Sequence, residues 1–172
     1  KLLENGYSTI SLGYIGLYEC VVALIGSTHT SKEGNELATK IMERLREACD
    51  SWKKETGLGF GLYGTPAEST TYTFAKALKK RFGIVEGITD KDYLTNSYHV
   101  NVREHIDAFD KLGIEAKFQK LSSGGAISYV EVTNMSENLD ALSELIDYMY
   151  ETIQYAEINT KSDYCHVCGY DG

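Results

Sequence analysis

The stretch that most constrains the fold runs from residue 60 to residue 83. Phe60-Gly-Leu-Tyr63 is short and apolar and reads as a buried strand, and Gly64-Thr-Pro-Ala-Glu-Ser69 follows it directly. A helix comes next, with Phe74, Leu78 and Phe82 on one side and Lys79, Lys80, Arg81 and Gly83 at its end. Basic side chains suit the negative end of a helix, and a glycine behind them is a stop signal. With the elements that follow along the chain, strands alternate with helices of about ten or more residues, which argues for an α/β sheet or barrel with parallel segments. The turn holds the chain's single proline, while 16 glycines supply the remaining punctuation. Thr65 fits the N-cap, Pro66 the first helical position and Glu68 the third, which closes a capping box. The same geometry suits a ligand. A glycine lets a backbone come close, and N–H groups at a helix start bind phosphate. Without a lysine, such a turn would position phosphates rather than hydrolyse them as a Walker loop does. A well-built helix start and a phosphate-binding turn both stand as readings.

The other elements follow from periodicity. Ile10–Ile25 is apolar with Gly13 and Gly16 inside it, and reads as an approach segment leading into a buried helix. Thr30-Ser-Lys-Glu33 reads as a capping box opening a helix with Leu37, Ile41, Leu45, Ala48 and Trp52 on one face, stopped by Gly57. Strands are expected at Ser97–Val102, Ala116–Leu121 and Ala126–Val132, with a short helix at Glu104–Leu112 and a turn at Ser122-Ser-Gly-Gly125. A long helix at Ser136–Gln154 would bury Leu139, Leu142, Ile146, Met149 and Ile153. Its opposite face carries Glu137, Asp140, Glu144, Asp147 and Glu151 and reads as solvated.

Composition excludes several classes. The chain has 172 residues, is 42% hydrophobic and 24% charged, and carries a net charge of -8. That balance fits an ordinary globular domain and argues against a nucleic-acid reader with a broad basic face. No apolar run approaches the roughly 18 to 20 residues of a membrane span. Four unevenly spaced cysteines suggest a reducing, cytoplasmic setting rather than a disulfide scaffold. A start at Lys1 without Met and a halt just after a Cys-x-x-Cys suggest a segment of a longer protein.

That Cys165-His-Val-Cys168-Gly169 run is half of a zinc knuckle or, with the same spacing, a redox pair. Cys20 and Cys49 read as small core residues, His99 as a hydrogen-bonded core histidine in a strand, and His29 and His105 as surface residues. The 13 tyrosines suit half-buried positions.

Five motifs in order carry a resemblance: Ser8-Thr-Ile-Ser-Leu-Gly-Tyr-Ile-Gly-Leu-Tyr-Glu19, Leu62-Tyr-Gly-Thr-Pro-Ala-Glu-Ser69, Thr95-Asn-Ser-Tyr-His-Val100, Gly125-Ala-Ile-Ser-Tyr-Val-Glu131 and Cys165-His-Val-Cys-Gly169. Together they resemble the C-terminal part of the anaerobic (class III) ribonucleoside-triphosphate reductases, over nearly the whole chain. The resemblance implies the second half of a ten-stranded glycyl-radical-enzyme α/β barrel over residues 1–160. Residues 161–172 would begin a zinc-binding segment, with Cys165 and Cys168 as the first ligand pair. Gly64, Thr65, Pro66, Ala67 and Ser69 would bind substrate phosphates. Tyr63 and Glu68 would stand beside the substrate, with Glu68 handling a proton of the ribose or of the leaving water.

The family implies conversion of ribonucleoside triphosphates to deoxyribonucleoside triphosphates for DNA synthesis. A glycyl radical, outside this chain, is made by a radical S-adenosylmethionine iron–sulfur activase. Electrons come from formate or a thiol, ATP and dATP effectors bind outside the chain, and the full-length enzyme is expected as a homodimer. The thiyl-forming cysteine also belongs to an upstream strand, so the segment alone is expected to be inactive. The family's radical glycine sits in an Arg-Val-Cys-Gly-Tyr type sequence that Val167-Cys-Gly-Tyr170 partly matches. His166 in place of the arginine, and the second cysteine at 165, favour zinc over a radical role for Gly169.

Two alternatives remain at this stage: another glycyl radical enzyme of pyruvate formate-lyase type, and a non-catalytic zinc-knuckle interaction module. Half a barrel would expose sheet edges, so the segment alone is expected to dimerise through them or to rearrange and bury them.

Overall fold

A computed structural model describes residues 3, 7–64, 67–136, 138–160 and 167–169. The first strand, β1 (Thr9–Gly13), leads into helix α1 (Leu17–Ile25) through Gly16, which caps the helix at φ 77, a backbone conformation that favours glycine. Helix α2 (Lys32–Thr56) follows and ends at Gly57, as its sequence predicts. Its N-cap is Ser31, not Thr30: the Ser31 hydroxyl accepts the Gly34 N–H, while the Thr30 hydroxyl lies beside Thr28 and Glu104. The fully buried line on α2 is Ala38, Met42 and Cys49, one position on from the expected stripe. Leu37, Ile41 and Leu45 flank it, and Trp52 lies exposed near the end, against Phe60.

Strand β2 (Gly59–Gly64) is the centre of a parallel three-stranded sheet, between β1 and the two-residue β3 (Gly125–Ala126). Helix α3 (Glu68–Phe82) follows β2 and stops at Gly83. It begins later than its sequence suggests, with Ala67 as N-cap and Glu68 as the first rather than the third helical residue. Its Phe74 and Phe82 are 53% and 59% exposed, and the buried residues are Thr71 and Ala75. The expected apolar face of α3 is therefore exposed at Phe74 and Phe82 and only half-buried at Leu78.

Residues 83–107 form no regular element apart from an isolated bridge between Ile15 and Asn96, so the strand expected at Ser97–Val102 is absent. The following segment is one helix, α4 (Ala108–Leu121), in place of a short helix and a strand. Asp107 sets its start by accepting the Asp110 N–H. Its residues bury into two clusters: Phe118, with Ile114 and Leu121, against Met42, Leu62 and Tyr98, and Leu112 and Ala116 against Val130 and Leu145. A helix covered on opposite sides has no single apolar stripe, and that erases the 3.6-residue signal.

The expected strand at 126–132 is split. β3 ends at Ala126 and β4 (Ser128–Val132) pairs in parallel with β5 (Ala156–Thr160), a strand that sequence patterning does not reveal. Helix α5 (Leu139–Thr152) is capped by Asn138 and buries Leu145, while Leu139 and Ile146 are exposed. Its Asp140, Glu144, Asp147 and Glu151 are solvated, as expected, and Glu137 lies outside the described residues. No helix among the described residues is long and apolar enough to cross a membrane.

Candidate functional site: the end of the central strand and the start of α3

In a parallel α/β sheet, ligands gather where strands end and helices begin, because converging loops and unpaired helix N–H groups meet there. Here that place is the end of β2. Leu62 is fully buried, Tyr63 is half-buried with its ring against Gly125, and Gly64 is buried. A Cβ at Gly64 would sit 2.8 Å from the Tyr98 ring and 3.1 Å from the Tyr14 hydroxyl. The protein's own packing thus already demands a glycine there.

Both tyrosines are fixed. The Tyr14 hydroxyl bonds Ser122 Oγ at 2.8 Å, and the Tyr98 hydroxyl donates to the Ile127 carbonyl at 2.9 Å. Burial raises the pKa of each well above the ordinary phenol value, so both stay neutral.

Beyond Gly64, Thr65 and Pro66 lie outside the described residues. Ala67 is half-buried, and its side chain cannot cap the helix it opens. Its N–H donates instead to Asn96 Oδ1 at 2.9 Å. Glu68 is the first residue of α3, and Ser69, in the same first turn, is exposed.

Asn96 belongs to a segment in which successive residues reach different elements. Glu19 Oε1 accepts the N–H and hydroxyl of Thr95 at 2.9 and 2.8 Å, together with Lys91 Nζ at 2.7 Å, in a pair whose side chains are 3% and 4% exposed. The Ser97 carbonyl accepts the Leu17 N–H at the start of α1, with Ser97 itself buried at φ 35. The Tyr98 carbonyl accepts from His29 Nε2 at 3.0 Å. The His99 ring lies between the Asn96 and Ile127 carbonyls, at 2.9 and 3.0 Å, stacked on Tyr98 and Tyr129. The Val100 N–H donates to Glu115, which is fully buried beside Lys111. A cleft of about 660 Å³ opens beside this segment, with Asn96, His99, Lys111 and Tyr129 in its wall.

Several sequence assignments change. His29 is completely buried rather than on the surface, and burial lowers its pKa. Cys20 is exposed rather than in the core, whereas Cys49 is buried as expected and its thiol pKa is raised by that burial. His99 is the hydrogen-bonded buried histidine expected, though in a loop and not a strand. Cys165 lies outside the described residues, and Cys168 is exposed with a free thiol. Among the described residues no group of three or more His, Cys, Asp or Glu side chains comes together to hold a metal. The structure thus brings Tyr63, Gly64 and Ala67 to one strand end and leaves Cys168 in a separate segment. Sequence reasoning gives no individual role to Asn96. The polar run Thr95-Asn-Ser, too hydrophilic for an interior strand, is the available signal.

The whole chain, residues 1–172, matches the family model described as anaerobic ribonucleoside-triphosphate reductase. The chain belongs to that family. It is 43% identical over 175 residues to the anaerobic ribonucleoside-triphosphate reductase of Escherichia coli K12, covering 100% of this chain and 24% of the relative. It is 40% identical over 169 residues to that of enterobacteria phage T4, covering 98% and 26%. The chain thus spans about a quarter of the length of these relatives. Among solved structures, the anaerobic ribonucleotide reductase of Thermotoga maritima with glycerol in the active site superposes with a TM-score of 0.70 at 22% identity, over 95% of this chain and 28% of that one. The same enzyme in complex with dATP and CTP gives 0.69 at 21% identity, over 95% and 29%. These likenesses support a shared α/β fold.

Proposed function

We propose that this chain forms the substrate-side part of the catalytic barrel of an anaerobic ribonucleoside-triphosphate reductase that makes deoxyribonucleoside triphosphates. The observation that carries the reading is the strand–turn–helix from Tyr63 to Ser69, which lies at the end of the central strand in a chain matched throughout by the reductase family. The amides that open α3 have no carbonyl partner within the helix and, with Gly64, Thr65, Pro66, Ala67 and Ser69, would hold the triphosphate. Tyr63 would pack against the nucleotide. Glu68 would exchange a proton with the ribose or with the 2′ oxygen as it leaves as water. A glycyl radical outside this chain, acting through the thiyl-forming cysteine of the upstream strand, would supply the hydrogen-atom abstraction at the 3′ carbon. The two electrons that replace the 2′ carbon–oxygen bond would come from formate, released as carbon dioxide, or from a thiol pair closing to a disulfide.

Cys165 and Cys168 are proposed as half the ligand set of a structural zinc, which needs about four donors. The described residues do not complete that set, and the ion is given no part in the reaction. The activase, the homodimer and the cytoplasmic setting follow from the family reading in the same way. The Thermotoga maritima enzyme of similar fold binds dATP and CTP in its complex, which favours a nucleotide enzyme over a pyruvate formate-lyase type.

The test is anoxic turnover of activated full-length enzyme carrying Glu68→Gln. Deoxyribonucleotide formation should fall by on the order of 100-fold or more, the usual cost of losing a general acid or base, while ribonucleoside triphosphate still binds. Unchanged turnover would remove Glu68 from the reaction.

A further inference from the structure

The start of a helix is normally set by the residue that precedes it, because a Ser, Thr, Asp or Asn side chain there accepts one of the first N–H groups. Helix α3 is built differently. Its N-cap is Ala67, whose side chain has no acceptor, and the N–H of Ala67 itself donates to Asn96, 29 residues away in sequence. A second tie runs alongside, with the Leu94 N–H directed at the Thr71 carbonyl at 3.4 Å.

Asn96 is itself held from three directions. Its backbone forms an antiparallel bridge with Ile15. The Thr95 carbonyl before it accepts the Gly16 N–H at 2.9 Å, and the Ser97 carbonyl after it accepts the Leu17 N–H at 3.2 Å. Its own carbonyl faces the His99 N–H and ring at 2.9 Å each. Among the described residues, the amide that opens α3 is therefore held by the 94–99 segment and, through it, by α1.

From this geometry we infer that Asn96 is a positioning residue for the substrate triphosphate. Its carboxamide fixes the Ala67 N–H and so decides that the amides presented to the phosphates start at Glu68. The inference rests on the proposed phosphate role of the α3 start. It adds a residue that touches no substrate and acts through the helix. The phosphates are remote from the ribose carbons that react, so a displaced helix start should weaken binding more than it slows the chemistry.

The experiment uses activated full-length enzyme with Asn96→Ala and Asn96→Asp. It measures KM and kcat for ribonucleoside triphosphate and the Kd for triphosphate and for unphosphorylated nucleoside. Asn96→Ala should raise KM and the triphosphate Kd on the order of tenfold, roughly the worth of a lost cap. kcat at saturation should stay within about threefold, and nucleoside Kd should not change.

Asn96→Asp keeps an acceptor but adds a negative charge near the phosphates. Its triphosphate Kd, relative to wild type at the same ionic strength, should be raised at low salt and return toward one as salt screens that charge. This second variant carries the test if the alanine variant does not fold. Wild-type triphosphate affinity in Asn96→Ala, equal losses for nucleoside and triphosphate, or an Asn96→Asp ratio insensitive to salt would each overturn the inference. If wild-type enzyme binds nucleoside as tightly as triphosphate, it is the phosphate reading of the turn that fails.

Discussion

His29 shows how much a single side chain can tie together. It is completely buried, lies edge-on to Tyr18 and tilted against Phe118, and its Nε2–H donates to the Tyr98 carbonyl. Nδ1 has no partner among the described residues, so the ring is a neutral donor in this site. Desolvation lowers its pKa from 6.5, against weaker opposing effects from the Tyr98 carbonyl and from Glu115, Glu104 and Glu19. Below about pH 6.5 the unfolded chain takes up a proton that the folded chain does not, so stability falls as pH falls through that value, by at most about 1.4 kcal/mol per pH unit. In the full-length polypeptide, the gap in Tm between wild type and His29→Gln should narrow between pH 7.5 and 5.5. A gap that stays constant or widens would mean that His29 is protonated in the folded protein. Its polar neighbours Ser27, Thr28 and Thr30 give His29 the sequence pattern of a surface residue. Its burial comes from Phe118 and Tyr98, which sequence periodicity cannot bring to it.

Among the elements, the irregular 83–107 segment does the most to place the site, and it is the least legible in the sequence. Periodicity reports helices that bury one face, as with α2 and α5, and a short apolar run reports the buried strand β2, all legible in outline. It does not report a coil held by side-chain hydrogen bonds, nor α4, which is covered on two sides. The segment is anchored to α1 through the Glu19–Lys91 pair at 2.7 Å. Both charges are out of water, so removing one partner strands the other. Lys91→Met should destabilise the fold by about 3–5 kcal/mol, and adding Glu19→Gln should recover most of that loss. Denaturant midpoints of the two variants and wild type check this, and a double variant no more stable than Lys91→Met would contradict a buried ion pair as the anchor. At the turn itself, the sequence locates the helix to within a few residues but misplaces its cap. Thr65 and Pro66 satisfy the local rules for a helix start, while the acceptor that receives the Ala67 N–H belongs to a distant residue.

At the scale of the molecule, two apolar clusters share α4, and the three-stranded sheet has β1 and β3 at its edges. Phe74, Phe82 and Ile84 are exposed on and after α3, so this helix is not fully covered within the chain. The α/β class is legible because strands alternate along the chain with helices of about ten or more residues. The way the pieces are joined is not, because the Ile127 break sends β3 and β4 to different sheets, and the contacts that hold it, from Tyr98 and His99, are long-range. This architecture converges on the start of α3, proposed above as the holder of the triphosphate. Amide hydrogen exchange at Glu68, Ser69 and Thr70 in the full-length enzyme tests that role most directly. Saturating ribonucleoside triphosphate should slow exchange at these amides while saturating nucleoside should not, and unchanged exchange in triphosphate-saturated enzyme would contradict the role.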